Sequence, residues 1–179
     1  MQEPEQTQNR AITTVLFDMD NTLFDFVETK IAACEAVNRR LGLERTRDLL
    51  FYFLRENGRD FEDLEHLRDF MKDHGVYSEE SFDECCRLYE DMKIRHLAPY
   101  PAIEETLTQL RARGLSLSVV TDAHRKNAIT RLERTGLSGM FDLVITSDMT
   151  GSYKPDPKVF RYALERLGRH PGEVLMVGD

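Results

Sequence analysis

Four short apolar segments along the chain have the length and composition of buried β-strands. They are residues 14–17, 117–120, 143–146 and 174–177, and each ends at or just before a polar cluster. The last three are separated by segments with helical spacing, marked by Ile129 and Leu132 in one and by Phe160, Ala163, Leu164 and Leu167 in the other. Alternation of strand and helix predicts right-handed parallel crossovers and an α/β sheet that is covered on both faces.

Glycine, aspartate and proline mark the ends of these predicted helices. Gly114 and Gly136 each follow an apolar segment with helical spacing, where glycine commonly ends a helix. Asp156 precedes Pro157, in the order favoured for an N-cap and a first helical residue. The boundaries therefore agree with the alternation.

The stretch from about residue 25 to residue 96 interrupts the alternation, because it has helical patterns and no convincing strand. Apolar residues recur there at spacings of three and four: Val27, Ile31, Cys34, Val37 and Leu41, then Phe61, Leu64, Leu67 and Met71, then Phe82, Cys85, Tyr89 and Met92. Gly75 and Ser78 predict a helix end and a helix start, and Pro99 and Pro101 mark the return to the sheet. We therefore predict a core of residues 1–24 and 97–179 with a helical domain, residues 25–96, inserted into it.

Composition and charge narrow the possible functions. The formal net charge is −8, which makes nucleic acid and anionic membranes poor partners, and no segment has the ~18 consecutive apolar residues of a membrane span. The polar N-terminus lacks the apolar centre of a signal peptide. Cys34, Cys85 and Cys86 form no CxxC pair, which predicts reduced thiols and a cytoplasmic protein.

Asp18 and Asp20 directly follow the first predicted strand. Side chains two residues apart in extended backbone point the same way, and ligands of open α/β sheets bind at the carboxyl end of the strands. Two close carboxylates suit a hard cation such as Mg²⁺. A short Asp-x-Asp motif by itself is also typical of a solvated turn that caps the next helix.

Four motifs in order resemble those of the haloacid dehalogenase superfamily. VLFDMDNTL is similar to the first motif, which implies Asp18 as the nucleophile on phosphorus and Asp20 as general acid and base. Thr121 resembles the second motif, whose hydroxyl holds the phosphoryl group, and Lys154 in Lys-Pro-Asp-Pro resembles the third, whose ammonium neutralises charge. Asp179 in Val-Gly-Asp resembles the start of the fourth, which implies Asp18, Asp20 and Asp179 as Mg²⁺ ligands.

The resemblance implies a Rossmann-like parallel sheet with an α-helical cap, and a Mg²⁺-dependent phosphatase that hydrolyses small phosphorylated metabolites through an aspartyl-phosphate. Asp122 departs from the asparagine that the family often has beside the threonine; we include it as a substrate-binding candidate whose role is open. Arg55 and Arg59 are further candidates in the cap, although arginines on helices are usually solvated. The five histidines have no metal-ligand spacing.

The fourth motif of the family continues beyond its first acid, so the expectation is that the C-terminal part of the core is missing from this sequence. If the chain folds as it stands, the fourth strand is an exposed sheet edge, and exposed edges invite pairing with another chain. A homodimer is therefore a further expectation.

Two other functions fit the same motifs. A sugar-phosphate mutase on this scaffold returns the phosphoryl group to its substrate instead of giving it to water. A catalytically impaired phosphate-binding or interaction protein is the alternative from outside the enzymes. A dehalogenase is disfavoured, because those relatives do not need the acid at the position of Asp20.

Overall fold

The computed structural model describes residues 10–43, 46–55 and 58–178. The chain forms two compact units, one of which takes the residues up to Phe24 and from Ala98 onward, and the other Asp25–Leu97. In chain order the helices are α1 (Phe26–Arg40), α2 (Thr46–Phe53), α3 (Glu65–Asp73), α4 (Glu79–His96), α5 (Ile103–Ala112), α6 (Arg125–Arg134), α7 (Ser147–Thr150) and α8 (Pro157–Leu167). Among the described residues, none of these helices is long and apolar enough to cross a membrane.

The first unit, which we call the sheet unit, is built on four parallel strands. These are β1 (Thr14–Phe17), β2 (Ser116–Val120), β3 (Leu143–Ile145) and β4 (Val174–Val177), in the order β3-β2-β1-β4. All four predicted strands are present; β2 begins one residue before the predicted segment, and β3 ends one residue before it does. The α/β fold with a parallel sheet is therefore confirmed.

The register of the sheet brings the ends of β1, β2 and β4 to one edge. Phe17 at the end of β1 is level with Val119 and with Val177. Every residue of β1 is buried, because the strand has neighbours on both sides and helices of the unit contribute to the same core. Residues that follow these strands therefore emerge together at the carboxyl end of the sheet.

Helix α8 packs on the sheet through Val159 and Ala163, which join Leu16, Val120 and Ile145 in one buried cluster. Asp156 is its N-cap and accepts a hydrogen bond from the backbone N–H of Lys158 at 2.8 Å, with Pro157 as the first helical residue. This hydrogen bond holds the pKa of Asp156 below its ordinary value, because it stabilises the ionised carboxylate. The structure therefore confirms the predicted start of this helix.

The second unit consists of α1–α4 around its own apolar core. The largest buried side chains include Phe53 and Tyr89, whose rings stack with centroids 4.9 Å apart. Ser78 caps α4 by accepting a hydrogen bond from Ser81 at 3.1 Å. Burial raises the pKa of the Cys34 thiol in this core to about 12, which makes it an inert packing residue.

The prediction of a helix from the spacing of Phe61, Leu64, Leu67 and Met71 was wrong at Phe61. Phe61 precedes α3 and is 44 % exposed, while Leu67 and Met71 are buried on the helix as predicted. Asp60 and Asp63 explain the difference, because their side chains accept hydrogen bonds from the backbone N–H groups of Glu62 and Glu65. Such bonds stabilise turns in place of helix.

Two buried lysines hold the same turn. Lys30 donates a hydrogen bond to the carbonyl of Phe61 at 2.7 Å, and Lys93 forms ion pairs with Glu62 at 3.4 Å and Glu90 at 2.9 Å. Both lysines are almost fully buried, so their charges need these partners. They are structural residues of the second unit.

Candidate active site

Asp18, the candidate nucleophile, directly follows the carboxyl end of β1. This strand is an interior strand of the described sheet, with β2 on one side and β4 on the other. Its backbone N–H donates to the carbonyl of Val177 at 2.8 Å, which continues the pairing with β4 by one residue. An apolar strand with partners on both sides thus fixes the backbone of a partly buried carboxylate.

Lys154 lies in the loop between α7 and α8, and its ammonium contacts Oδ1 of Asp18. The Lys154–Pro155 peptide bond is cis. Both side chains are largely buried, so the ion pair is only weakly screened by solvent. The structure therefore brings together the residues that match the first and third motifs.

Asp122 fixes the backbone of Lys154. Its Oδ1 accepts a hydrogen bond from the backbone N–H of Lys154 at 2.8 Å. Helix α6 begins after His124, whose side chain forms no capping hydrogen bond, and the first backbone N–H of the helix, that of Arg125, donates to Asp148. The carboxylate at this position thus links the loop after β2 to the loop before α8.

Thr121 ends the second strand region and is buried. Its backbone N–H donates to the carbonyl of Ile145 at 2.9 Å, and its hydroxyl accepts from the backbone N–H of Ala123 at 3.1 Å. The hydroxyl therefore holds the turn after β2. It lies at the same edge of the sheet as Asp18 but does not line the cavity described next.

A cavity of about 480 Å³ opens beside Asp18 in the sheet unit. Three predicted site residues line it together with four residues that the sequence analysis did not select; the seven are Asp18, Asp122, Lys154, Pro155, Phe160, Met176 and Gly178. A Cβ atom built on Gly178 would lie 2.9 Å from the Cβ of Asp18, so glycine permits the close approach of these two chain segments. In the sequence, Phe160 and Met176 have the pattern of ordinary core residues, and nothing there predicted that they line a cavity.

Asp20 is held by a residue that the sequence analysis did not identify. Its Oδ2 accepts a hydrogen bond from the guanidinium of Arg131, on α6, at 2.7 Å. Asp20 does not line the cavity beside Asp18. The one available signal was an arginine on the face of α6 that also carries the buried Ala128 and Leu132.

Asp148, on α7 after β3, connects this segment to the start of α6. Asp148 accepts from the hydroxyl of Thr146 at 2.7 Å and from the backbone N–H of Arg125 at 3.0 Å, which ties α7 to the start of α6. The Thr146 hydrogen bond lowers the pKa of Asp148 from its ordinary value. This carboxylate is therefore structural.

The oxygen donors at the cavity fit a hard divalent cation. The carboxylates of Asp18 and Asp122 are its acidic groups, and neither histidine nor cysteine is among its lining residues. Within residues 10–43, 46–55 and 58–178, no group of three or more His, Cys, Asp or Glu side chains is placed to hold a metal ion. Asp179, the third predicted ligand, lies outside the described residues.

The two arginines considered in the helical unit have other contacts. Arg55 lies over the ring of Tyr52, 3.4 Å from its centroid, and Arg59 forms an ion pair with Asp69 at 2.6 Å. These contacts place both side chains on the surface of the second unit and assign them no role in binding.

Comparison with known proteins agrees with the four motifs. The profile of the haloacid dehalogenase-like hydrolase family matches residues 15–179. A glyceraldehyde 3-phosphate phosphatase of Methanocaldococcus jannaschii is 33 % identical over 176 residues, covering 94 % of this chain and 76 % of the relative. A phosphoglycolate phosphatase of Aquifex aeolicus is 32 % identical over 166 residues, covering 92 % of this chain and 75 % of the relative.

A solved structure shows the same fold. The crystal structure of a putative β-phosphoglucomutase from Thermotoga maritima superposes with a TM-score of 0.79 at 26 % identity, over 92 % of this chain and 75 % of that one. Sequence, fold and the order of the motifs thus agree across nearly the whole length of the chain. The chain belongs to the family of haloacid dehalogenase-like hydrolases.

Proposed function

We propose that this chain is a Mg²⁺-dependent phosphatase that hydrolyses small phosphorylated metabolites through an aspartyl-phosphate on Asp18. The observation that carries the proposal is the contact between the Asp18 carboxylate and the Lys154 ammonium on the wall of one cavity. A nucleophile and a cation in contact are what transfer of an anionic phosphoryl group requires.

The named relatives support phosphate esters as substrates. Those described above are phosphatases, and glyceraldehyde 3-phosphate and phosphoglycolate are both small phosphorylated metabolites. Phosphoric monoester hydrolysis is the activity that these two names share. The choice among such substrates is left open.

The residues of the chain account for both halves of the reaction. In the first, an oxygen of Asp18 attacks phosphorus in line, the bond to the leaving oxygen breaks, and Asp20 gives that oxygen a proton. In the second, Asp20 takes a proton from water, whose oxygen attacks the aspartyl-phosphate and releases inorganic phosphate. Lys154 neutralises charge on the transferred group, and Thr121 and Asp122 are the proposed substrate-binding residues at the end of β2.

Asp18 and Asp20, with Asp179, are the proposed holders of Mg²⁺. When bound, the ion would supply neutralisation of the phosphoryl oxygens and orientation of the nucleophile. We further propose that the helical unit, Asp25–Leu97, is the cap of this family and determines substrate choice. A cytoplasmic location and a homodimer stay predictions.

The decisive experiment measures release of inorganic phosphate from p-nitrophenyl phosphate with Mg²⁺ and with EDTA. We expect activity that requires Mg²⁺ and that falls to background in Asp18→Asn. Asp20→Asn should lose about 10²–10⁴-fold, as expected for loss of a general acid and base, and should accumulate phosphorylated protein detectable by mass spectrometry.

Asp83→Asn is the matched control, because it makes the same chemical change at an exposed position on α4. It should retain the activity of the unmodified protein. Undiminished hydrolysis by Asp18→Asn would remove the assignment of the nucleophile. Phosphate binding without turnover by the unmodified protein would favour a catalytically impaired binding protein.

A phosphomutase is the second candidate, favoured by the structural similarity to the putative β-phosphoglucomutase. Both reactions use the same phosphorylated aspartate and differ in the acceptor of the phosphoryl group. Product analysis with sugar phosphates separates them: inorganic phosphate indicates a phosphatase, and an isomeric sugar phosphate indicates a mutase.

A further inference from the structure

Lys154 depends for its position on a side chain from another part of the chain. It lies in the loop between α7 and α8, so the hydrogen bonds of a helix or a strand do not fix its backbone. Its backbone N–H donates to Oδ1 of Asp122 at 2.8 Å, and its ammonium contacts Asp18. The residue is therefore held at two points, one on the backbone and one at the tip of the side chain.

Asp122 is a firm anchor, because the residue before it is paired into the sheet unit. Thr121 donates its backbone N–H to the carbonyl of Ile145 at 2.9 Å, and its hydroxyl accepts from the backbone N–H of Ala123 at 3.1 Å. These two hydrogen bonds fix the chain on both sides of Asp122. The hydrogen bond to Asp122 therefore ties the Lys154 loop to the carboxyl end of β2, across 32 positions in the sequence.

The carboxylate of Asp122 suits this hydrogen bond better than it suits direct contact with a phosphate ester. An N–H that donates to a carboxylate forms a stronger hydrogen bond than one that donates to a neutral oxygen. Asp122 and Lys154 are both half-buried, so water competes for the bond less than it would on the surface. A carboxylate and the phosphoryl oxygens carry like charges, which repel at close range. The chemistry therefore favours an indirect role for Asp122.

We propose that Asp122 is a positioning residue that acts on the reaction through Lys154. The inference rests on the proposed function, and it changes the part of Asp122 in substrate binding from direct to indirect. The hydrogen bond at the backbone of Lys154 fixes the point from which a long, flexible side chain reaches Asp18 and the phosphoryl group. Loss of this bond misplaces the ammonium, and a misplacement of ~1 Å costs about 10²-fold in rate.

Two variants of Asp122 separate its hydrogen bond from its charge. The amide oxygen of Asp122→Asn can accept from the backbone of Lys154, whereas Asp122→Ala has no acceptor. With p-nitrophenyl phosphate and Mg²⁺, we expect Asp122→Ala to lower kcat/KM by about tenfold to a hundredfold, and Asp122→Asn to avoid most of this loss. Equal losses in the two variants would overturn the proposal, because the charge and not the hydrogen bond would then be what matters.

A double variant tests whether the effect of Asp122 requires the ammonium of Lys154. Asp122→Ala is combined with Lys154→Met, which keeps an unbranched side chain and removes the charge. We expect Asp122→Ala to change kcat/KM little in this background, since the group that Asp122 positions is gone. Losses that multiply would show that Asp122 acts independently of Lys154, which contradicts the proposal.

Asp142→Ala is the matched control within the sheet unit. Asp142 accepts a hydrogen bond from the backbone N–H of Leu117 at 3.1 Å, at the opposite end of β2 from Asp122. Its loss should lower the unfolding temperature and leave kcat/KM of the folded protein unchanged. A loss of activity as large as that of Asp122→Ala would overturn a specific role for Asp122.

The hydrogen bond can also be tested without turnover. Hydrogen exchange of the Lys154 backbone N–H, followed by NMR, should be slow in the unmodified protein and in Asp122→Asn, and faster by about tenfold or more in Asp122→Ala. Fast exchange in the unmodified protein would overturn the proposal even if Asp122→Ala does not fold. If the unmodified protein shows no turnover that depends on Asp18, the proposed function fails and the effect on rate fails with it, whereas slow exchange would still show that Asp122 holds Lys154.

Discussion

Gly178 and Asp18 approach each other so closely that the identity of one constrains the position of the other. The added methyl group of an alanine at 178 would meet the Cβ of Asp18 at 2.9 Å, a distance that forces one of the two segments to move. Asp18 is the proposed nucleophile, and reaction rates depend steeply on the position of the attacking atom. The glycine is therefore a requirement of the site.

Gly178→Ala should lower kcat/KM by about tenfold to a hundredfold, the cost of displacing a reacting group by up to ~1 Å. The measurement is hydrolysis of p-nitrophenyl phosphate by folded protein, with folding checked by circular dichroism. Gly139→Ala is the control, because a Cβ at 139 meets nothing within 4 Å. Equal activity of the two variants would show that the site tolerates the shift.

Individual residues also show how far sequence reasoning extends into the site. Asp18 and Lys154 were selected by motif, and the structure places them in contact. The bond from Lys154 to Asp122 and the pairing of Arg131 with Asp20 were not foreseen, because both join segments that only the folded sheet brings together. No local spacing encodes such contacts.

Helix α8 begins next to the Lys154 loop, and the charge of its N-cap stabilises that start. The pKa of Asp156 is lowered by the hydrogen bond from Lys158, so the ionised form is favoured by folding. A group of this kind adds stability above its ordinary pKa, and the contribution is lost as the pH falls through the lowered value. The start of α8 is therefore weakest in acid.

Asp156→Ala should unfold at a lower temperature than the unmodified protein at neutral pH, and the difference should narrow on acidification. Thermal unfolding at several pH values, followed by circular dichroism, measures it. Asp156→Asn is the companion variant, because it can accept the same hydrogen bond without titrating. A difference that stays constant with pH would mean that the charge of the cap contributes nothing.

The elements were predictable where one physical signal dominated. The apolar segments gave all four strands to within a residue at each end, but only β1 and β2 are buried along most of their length. The prediction that the fourth strand is buried was wrong, because Leu175 and Val177 of β4, which lies at the edge of the sheet, are exposed. The four-residue helix α7 was not predicted, because it is too short to show helical spacing. Phe61 was misplaced because hydrogen bonds from aspartate side chains favour a turn there.

The net charge of −8 acts on every anionic substrate that approaches the protein. A negative field slows the approach of a phosphate ester, and dissolved salt screens that field over about 10 Å at moderate ionic strength. Lys154, at the cavity, acts over a shorter distance through direct contact. Added salt is therefore expected to speed the approach of the substrate by screening repulsion from the net charge, and to slow it by screening attraction to Lys154.

Raising the ionic strength from about 10 mM to about 150 mM at constant free Mg²⁺ should increase kcat/KM for p-nitrophenyl phosphate, by less than about tenfold. The comparison uses a salt whose ions bind the protein weakly, with kcat reported separately from KM. Unchanged kcat with a lower KM fits slower approach of the substrate at low salt. A fall in kcat/KM would show that attraction by local cations outweighs the net charge.

At the level of the whole chain, family and α/β fold followed from four motifs taken together, although each motif alone was weak. The substrate did not follow, because the residues that contact the non-phosphate part of a ligand carry no shared motif. The roles of all six site residues also stay predictions: Asp18, Asp20, Thr121, Asp122, Lys154 and Asp179, the last of which lies outside the described residues.

The position of β1 in the sheet has a consequence for biosynthesis. Of the four described strands it is the first to be synthesised, yet both of its neighbours, β2 and β4, are translated after the entire helical unit. Its apolar residues lack their sheet neighbours, β2 and β4, while α1–α4 are synthesised. Exposed apolar segments of this kind are prone to aggregate or to be bound by chaperones. Folding of the nascent sheet is therefore expected to be late, with Asp18 reaching its final surroundings only when β4 has emerged.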